Sequence, residues 1–76
     1  MRDLPADDSW IADRRRAVGA AIRAERLRQK LTQDDIWIAS GLSRGTVQRV
    51  EAGEDATLST LLRIAHALAV PLRDLV

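Results

Sequence analysis

Apolar residues recur at three- and four-residue spacings along most of the chain, and residues that start or stop helices divide them into segments. Residues 10–29 are rich in Ala, Arg and Glu, all good helix formers. Val18, Ala21 and Ile22 make a short apolar stripe there, continued only by Glu25 and Gln29, with Leu27 off the stripe. Ser9 is placed to cap this helix, which would start at Trp10. Thr32 is the next N-cap candidate, with Asp34 and Asp35 in the first turn, where the helix dipole favours carboxylates. That second helix is predicted to end near Ser40, because Gly41 takes positive φ cheaply. Ser43 caps a third helix running to about Ala52 and stopped by Gly53. Thr57 caps a fourth, on which Leu58, Leu61, Leu62, Ala65 and Leu68 keep helical spacing. Pro71 suits the first turn of a short fifth helix carrying Leu72, Leu75 and Val76. No period-2 run and no Asn-Gly turn occurs, so no strand is predicted. The expected fold is all-α, a bundle of about five short helices over residues 10–76. Residues 1–9, polar and aperiodic with one proline, read as a flexible N-terminal arm.

The turn between the second and third helices is so short that they must cross steeply. At 100° per residue, Val47 and Val50 fall within about 60° of each other and face inward. The opposite side of the third helix carries Arg44, Gly45, Gln48 and Arg49. Arginine pairs bidentately with guanine and glutamine with adenine, so this face fits a DNA major groove. Any exposed helix face is polar, however, and the pattern alone leaves that reading open beside it.

Charge sharpens the picture by its distribution. The 76 residues carry a net charge of +1. Residues 1–13 set Arg2 against Asp3, Asp7, Asp8 and Asp13, a net of −3. Residues 14–30 set Arg14, Arg15, Arg16, Arg23, Arg26, Arg28 and Lys30 against Glu25, a net of +6. A basic block beside an acidic tail is the asymmetry of a chain that meets phosphate.

Several function classes fall away. There is no cysteine, hence no disulfide framework and no Cys-based metal site. His66 is the only histidine and has no partner at ligand spacing. No nucleophile–base pair, paired carboxylates or phosphate-cradling glycine loop appears, so neither an enzyme nor a cofactor, metal or small-molecule substrate is expected. The absence of a membrane-length apolar run and of a secretory signal points to a cytoplasmic protein with no membrane association.

The stretch TQDDIWIASGLSRGTVQRVEAG, Thr32 to Gly53, resembles the helix-turn-helix of the Cro and phage-repressor-like family, also called Xre-type regulators. The matching features are Thr32-Gln33, Ile36, Gly41, Leu42-Ser43, Val47, Val50, Glu51 and Gly53, with IRAER before them and LSTLLRIAHALAVPLRDLV after. The resemblance covers roughly residues 18–76. It implies a sequence-specific regulator of transcription, a repressor, bound to double-stranded DNA as a homodimer on a palindromic operator. By the same resemblance, Gln33 opens the second helix and touches a phosphate, and Ser43, Arg44, Gly45, Gln48 and Arg49 face the groove. Within that frame Arg44, Gln48 and Arg49 would read bases, with Ser43 and Thr46 on phosphate. Arg26 would pair with Glu51, and the C-terminal residues Leu72, Leu75 and Val76 would form the dimer contact.

Departures from the family pattern raise a second reading. Trp37 stands where the family usually has a small alanine, which would splay or rotate the helix pair, and Ile38 occupies a normally polar position. Both either pack against the first helix or the arm, or form an apolar patch for a protein partner. On that alternative the chain is an interaction module, an antitoxin or co-regulator, whose partner docks on Trp37 and Ile38 or on Trp10. Lys30 and Ala69 each replace a common helix-ending glycine. Gly45 costs roughly 1 kcal/mol in a helix interior, which close approach to DNA would explain and neutral drift would explain equally. The loop Glu54-Asp55-Ala56 brings two carboxylates where the family is often basic. Arg14, Arg15 and Arg16 are the alternative phosphate contacts, unless they are simply a solvated helix face.

Overall fold

The computed structural model describes residues 7–76. The arm expected over residues 1–9 therefore falls mostly outside the described residues. Four α-helices follow one another: α1 (Ser9–Arg28), α2 (Gln33–Ser40), α3 (Arg44–Glu51) and α4 (Leu58–Ala67). A 3-10 turn over Leu72–Asp74 closes the chain, and no strand occurs among the described residues.

The N-terminal signals of the inner helices work as local chemistry dictates. Thr32 and Asp35 form a reciprocal capping box: the Thr32 hydroxyl accepts from the Asp35 amide at 3.1 Å, and the Asp35 carboxylate accepts from the Thr32 amide at 2.8 Å. That backbone bond holds the Asp35 carboxyl below its ordinary value. Ser43 and Thr57 accept from the amides of Thr46 and Thr60, both at 3.1 Å. Ser9, expected as the cap of α1, does not act as one. Its hydroxyl is bonded to the Asp7 carboxylate at 2.7 Å, the N-cap position falls on Asp8, and the helix includes Ser9.

The C-terminal ends share one device. In α1, α3 and α4 the chain leaves the helix through paired 6→1 and 5→2 backbone bonds, Leu31 to Arg26, Glu54 to Arg49 and Val70 to Ala65 being the longer of each pair. The residue at the left-handed position is Lys30 (φ 60°), Gly53 (φ 91°) and Ala69 (φ 57°) respectively. Replacing glycine at positions 30 and 69 has kept the stop and put a side chain into a strained backbone region.

The core takes side chains from every helix: Ile22, Ile36, Val47, Val50, Ile64 and Ala65, closed by Leu68 and Leu75. Burying each of the larger ones contributes roughly 1.5–3 kcal/mol. The expected stripe of α4 divides. Leu61, Ala65 and Leu68 turn inward with Ile64, while Leu58 (63% exposed) and Leu62 (49%) turn outward. The fifth helix is a correction as well. Its segment makes only i→i+3 bonds, Asp74 to Pro71 and Leu75 to Leu72, because the chain must turn at once to deliver Leu75 to the core. Leu75, expected on a dimer surface, is 4% exposed and belongs to the core.

Candidate nucleic-acid interface

The turn between α2 and α3 is fixed at three points. Gly41 is left-handed at φ 75° and its amide bonds to the Trp37 carbonyl at 3.1 Å. The buried Ser40 hydroxyl accepts from the Leu42 amide at 3.2 Å. Ser43 then caps α3. Val47 and Val50 fasten one side of α3 to the core. Gly19 of α1 lets the two backbones touch, since a Cβ at that position would lie 2.5 Å from the Val50 carbonyl oxygen.

The end of α3 is held by charge and hydrogen bonds. The buried Arg26 donates through Nε and Nη2 to both oxygens of Glu51, at 2.8 and 3.0 Å, and through Nη1 to the Leu31 carbonyl at 2.9 Å. Gln33 joins the same carboxylate through Nε2 at 3.3 Å. The pair implied by the resemblance is present, and Gln33 belongs to its network. Arg15 donates to the Gly53 carbonyl at 3.3 Å, beyond the last turn.

With one side held, the other is open. Arg44, Gln48 and Arg49 are exposed, and Gly45 lies between them, half covered by the Arg49 guanidinium. Arg49 donates to Thr46 Oγ1 at 3.3 Å, and the Ser43 and Thr46 hydroxyls are hydrogen-bonded to each other at 2.8 Å. This face offers arginine forks and an amide at adjacent turns, the side-chain chemistry that matches base edges.

The three N-terminal arginines are not equivalent. Arg14 is exposed, Arg15 is tied to Gly53, and Arg16 pairs with Asp13 one turn away. Arg14 and Arg15 line an apolar groove of about 340 Å³ together with Trp10, Val18, Leu61 and the acidic residues Glu54 and Asp55.

Trp37 and Ile38 part company. Trp37 is half buried against the core, and its indole N–H donates to Asp34 Oδ1 at 3.0 Å. Ile38 is 65% exposed. Reading the sequence missed the close approach at Gly19, although an isolated glycine among strong helix formers is a recognised signal of one. It also missed the bonds that tie distant segments, Gln29 to the Leu68 carbonyl at 2.7 Å and Arg63 to the Ser40 carbonyl at 3.3 Å, for which no local pattern exists.

The helix-turn-helix family (HTH_3) matches residues 22–75, most of the chain. The protein belongs to the Cro/Xre-type helix-turn-helix family. As a member of that family it is a DNA-binding transcriptional regulator. The restriction-modification controller protein C.AhdI from Aeromonas hydrophila is similar in structure, with a TM-score of 0.81 at 31% identity over 84% of this chain and 98% of that one. The clp gene regulator ClgR from C. glutamicum is similar with a TM-score of 0.75 at 31% identity, covering 80% of each chain. No curated protein sequence matches. In this Cro/Xre-type regulator the part of α1 before Ile22, with Trp10, Arg14–Arg16 and Gly19, precedes the family match. No helix among the described residues is long and apolar enough to cross a membrane.

Proposed function

We propose that this regulator is a homodimeric repressor that reads a palindromic operator with α3. The observation that carries the reading is the division of α3 into a side fixed by Val47, Val50 and Gly19 and an open side bearing Arg44, Gln48 and Arg49. Those three residues read base edges. Gln33, Ser43 and Thr46 hold phosphate, with Arg14 adding to it from α1. The neighbours C.AhdI and ClgR, named as a controller protein and a gene regulator, support a role in gene control. The dimer face is revised from the sequence reading. Leu75 is withdrawn into the core, and the exposed Leu58 and Leu62, one turn apart on α4, join Leu72 and Val76 as the contact.

The test is selection of the purified protein from a random duplex library, followed by a salt titration of the best sequence. An enriched inverted repeat with half-sites about 34 Å apart is the expected result. With about six phosphates neutralised per dimer, the log–log salt slope is expected near −5. Arg44→Ala and Arg49→Ala should each cost about 1–3 kcal/mol and relax one base position. Unchanged binding in both variants overturns the assignment of α3.

A second reading, a protein-interaction module, is favoured by the groove beside Trp10, which is apolar within and flanked by opposite charges. Tryptophan fluorescence that shifts on adding a candidate protein partner and not on adding DNA would favour it over the operator reading.

A further inference from the structure

We infer that Asp34 and Trp37 form a positioning device that presents one chosen edge of Arg44 to a guanine. The inference rests on the reading of α3 as the groove helix, and it concerns two α2 residues to which no role in DNA recognition has been given. Asp34 receives two hydrogen bonds and one further ion-pair contact. The Trp37 indole N–H reaches Oδ1 at 3.0 Å, Arg44 Nε reaches Oδ1 at 3.2 Å, and Arg44 Nη2 reaches Oδ2 at 3.2 Å. The Arg44 guanidinium also stands over the Trp37 ring, 6.0 Å from its centre.

The consequence follows from the shape of a guanidinium, a rigid planar fork with five N–H groups. Asp34 occupies the Nε–Nη2 edge. Beyond the one Nη2 hydrogen given to Asp34, the Nη1–Nη2 edge has no partner among the described residues, and two parallel donors on that edge match guanine O6 and N7. An arginine on a flexible stem must be ordered before it can make that bidentate contact. Here the carboxylate and the ring order it beforehand, so less freedom is lost on binding. Asp34 would otherwise repel the DNA backbone, and its pairing with Arg44 offsets that charge.

Stability does not account for the arrangement. Both ends of the ion pair are more than half exposed, and pairs of that kind contribute little to folding. The indole explains why tryptophan stands where the family keeps a small residue. The ring fills space against the core, and its N–H fixes the rotamer of Asp34.

The experiment is library selection with the full chain as wild type, Arg44→Ala, Asp34→Ala and Trp37→Phe, with thermal melts to confirm folding. Wild type should prefer guanine at one position of each half-site by on the order of tenfold. Arg44→Ala should abolish that preference. Asp34→Ala should reduce it to about threefold or less at that same position, while other positions hold. Trp37→Phe, which keeps a smaller aromatic ring and removes the N–H, should weaken the preference there to a smaller degree. A purely structural role would lower binding to all sequences alike and leave the base preference intact, and that result overturns the proposal. Guanine preference that stays near tenfold in Asp34→Ala overturns it too. If Arg44→Ala leaves the selected sequence unchanged while Gln48→Ala or Arg49→Ala alters it, α3 still reads DNA and only this device fails. If wild type enriches nothing, the operator reading fails and the device with it.

Discussion

A methyl group at position 19 would stand 2.5 Å from the Val50 carbonyl oxygen and 2.8 Å from that of Glu51, both rigid backbone. Gly19→Ala must therefore push α3 away from α1. Such overpacking typically costs 1–3 kcal/mol, and urea unfolding should show a loss of about 2 kcal/mol. Gly45 gives the opposite case. A Cβ there would meet only the Arg49 guanidinium, at 3.1 Å, which is the end of a flexible side chain. Gly45→Ala should raise folding stability by about 1 kcal/mol through helix propensity. It should also weaken operator binding, since the added methyl projects from the face assigned to DNA; melting and binding curves on one preparation would check both signs. The two glycines differ in how legible they were. Gly45 sat on a polar face whose period could be counted. Gly19, alone in a helical run, signals a close approach, but the carbonyls that exclude a side chain there belong to a segment far downstream that no local pattern identifies.

At the scale of elements, the chain stops its helices more firmly than it starts the first. Lys30 and Ala69 hold left-handed backbone that glycine adopts without cost. Lys30→Gly and Ala69→Gly should each raise stability by about 1 kcal/mol, and since Gln29 beside one site bonds to Leu68 beside the other, the double variant measures their coupling. Thermal melts of the three variants would check this, and a loss of stability would mean that the side chains do more than fill a turn. Thr32, Ser43 and Thr57 were legible as caps because a hydroxyl and an amide three residues on settle the matter between themselves. Ser9 was not, since its hydroxyl had a nearer partner in Asp7. Nor was the 3-10 turn after Pro71, which is decided by where the core needs Leu75.

Across the whole molecule, the Arg26–Glu51 pair joins α1 to the end of α3, with Leu31 and Gln33 bound into it from the α1–α2 turn and α2. Removing Glu51 leaves a buried guanidinium without its counter-charge. Glu51→Ala should cost about 3–5 kcal/mol, a large part of what a domain this small possesses. Adding Arg26→Met should recover much of that loss, and denaturation of the two single variants and the double would measure the coupling. The pair itself was legible only through family likeness, as its partners are remote in sequence and their burial comes from the assembled fold. Nearly everything that keeps α3 in place thus acts on its inner side or at its two ends. Residues 44, 48 and 49 can change without disturbing the core, so on the proposed reading the target of the regulator can drift by single substitutions while the scaffold stays constant. Selection would then act on the two sets of positions separately, and paralogues of this chain could diverge in the promoters they serve long before they diverge in shape.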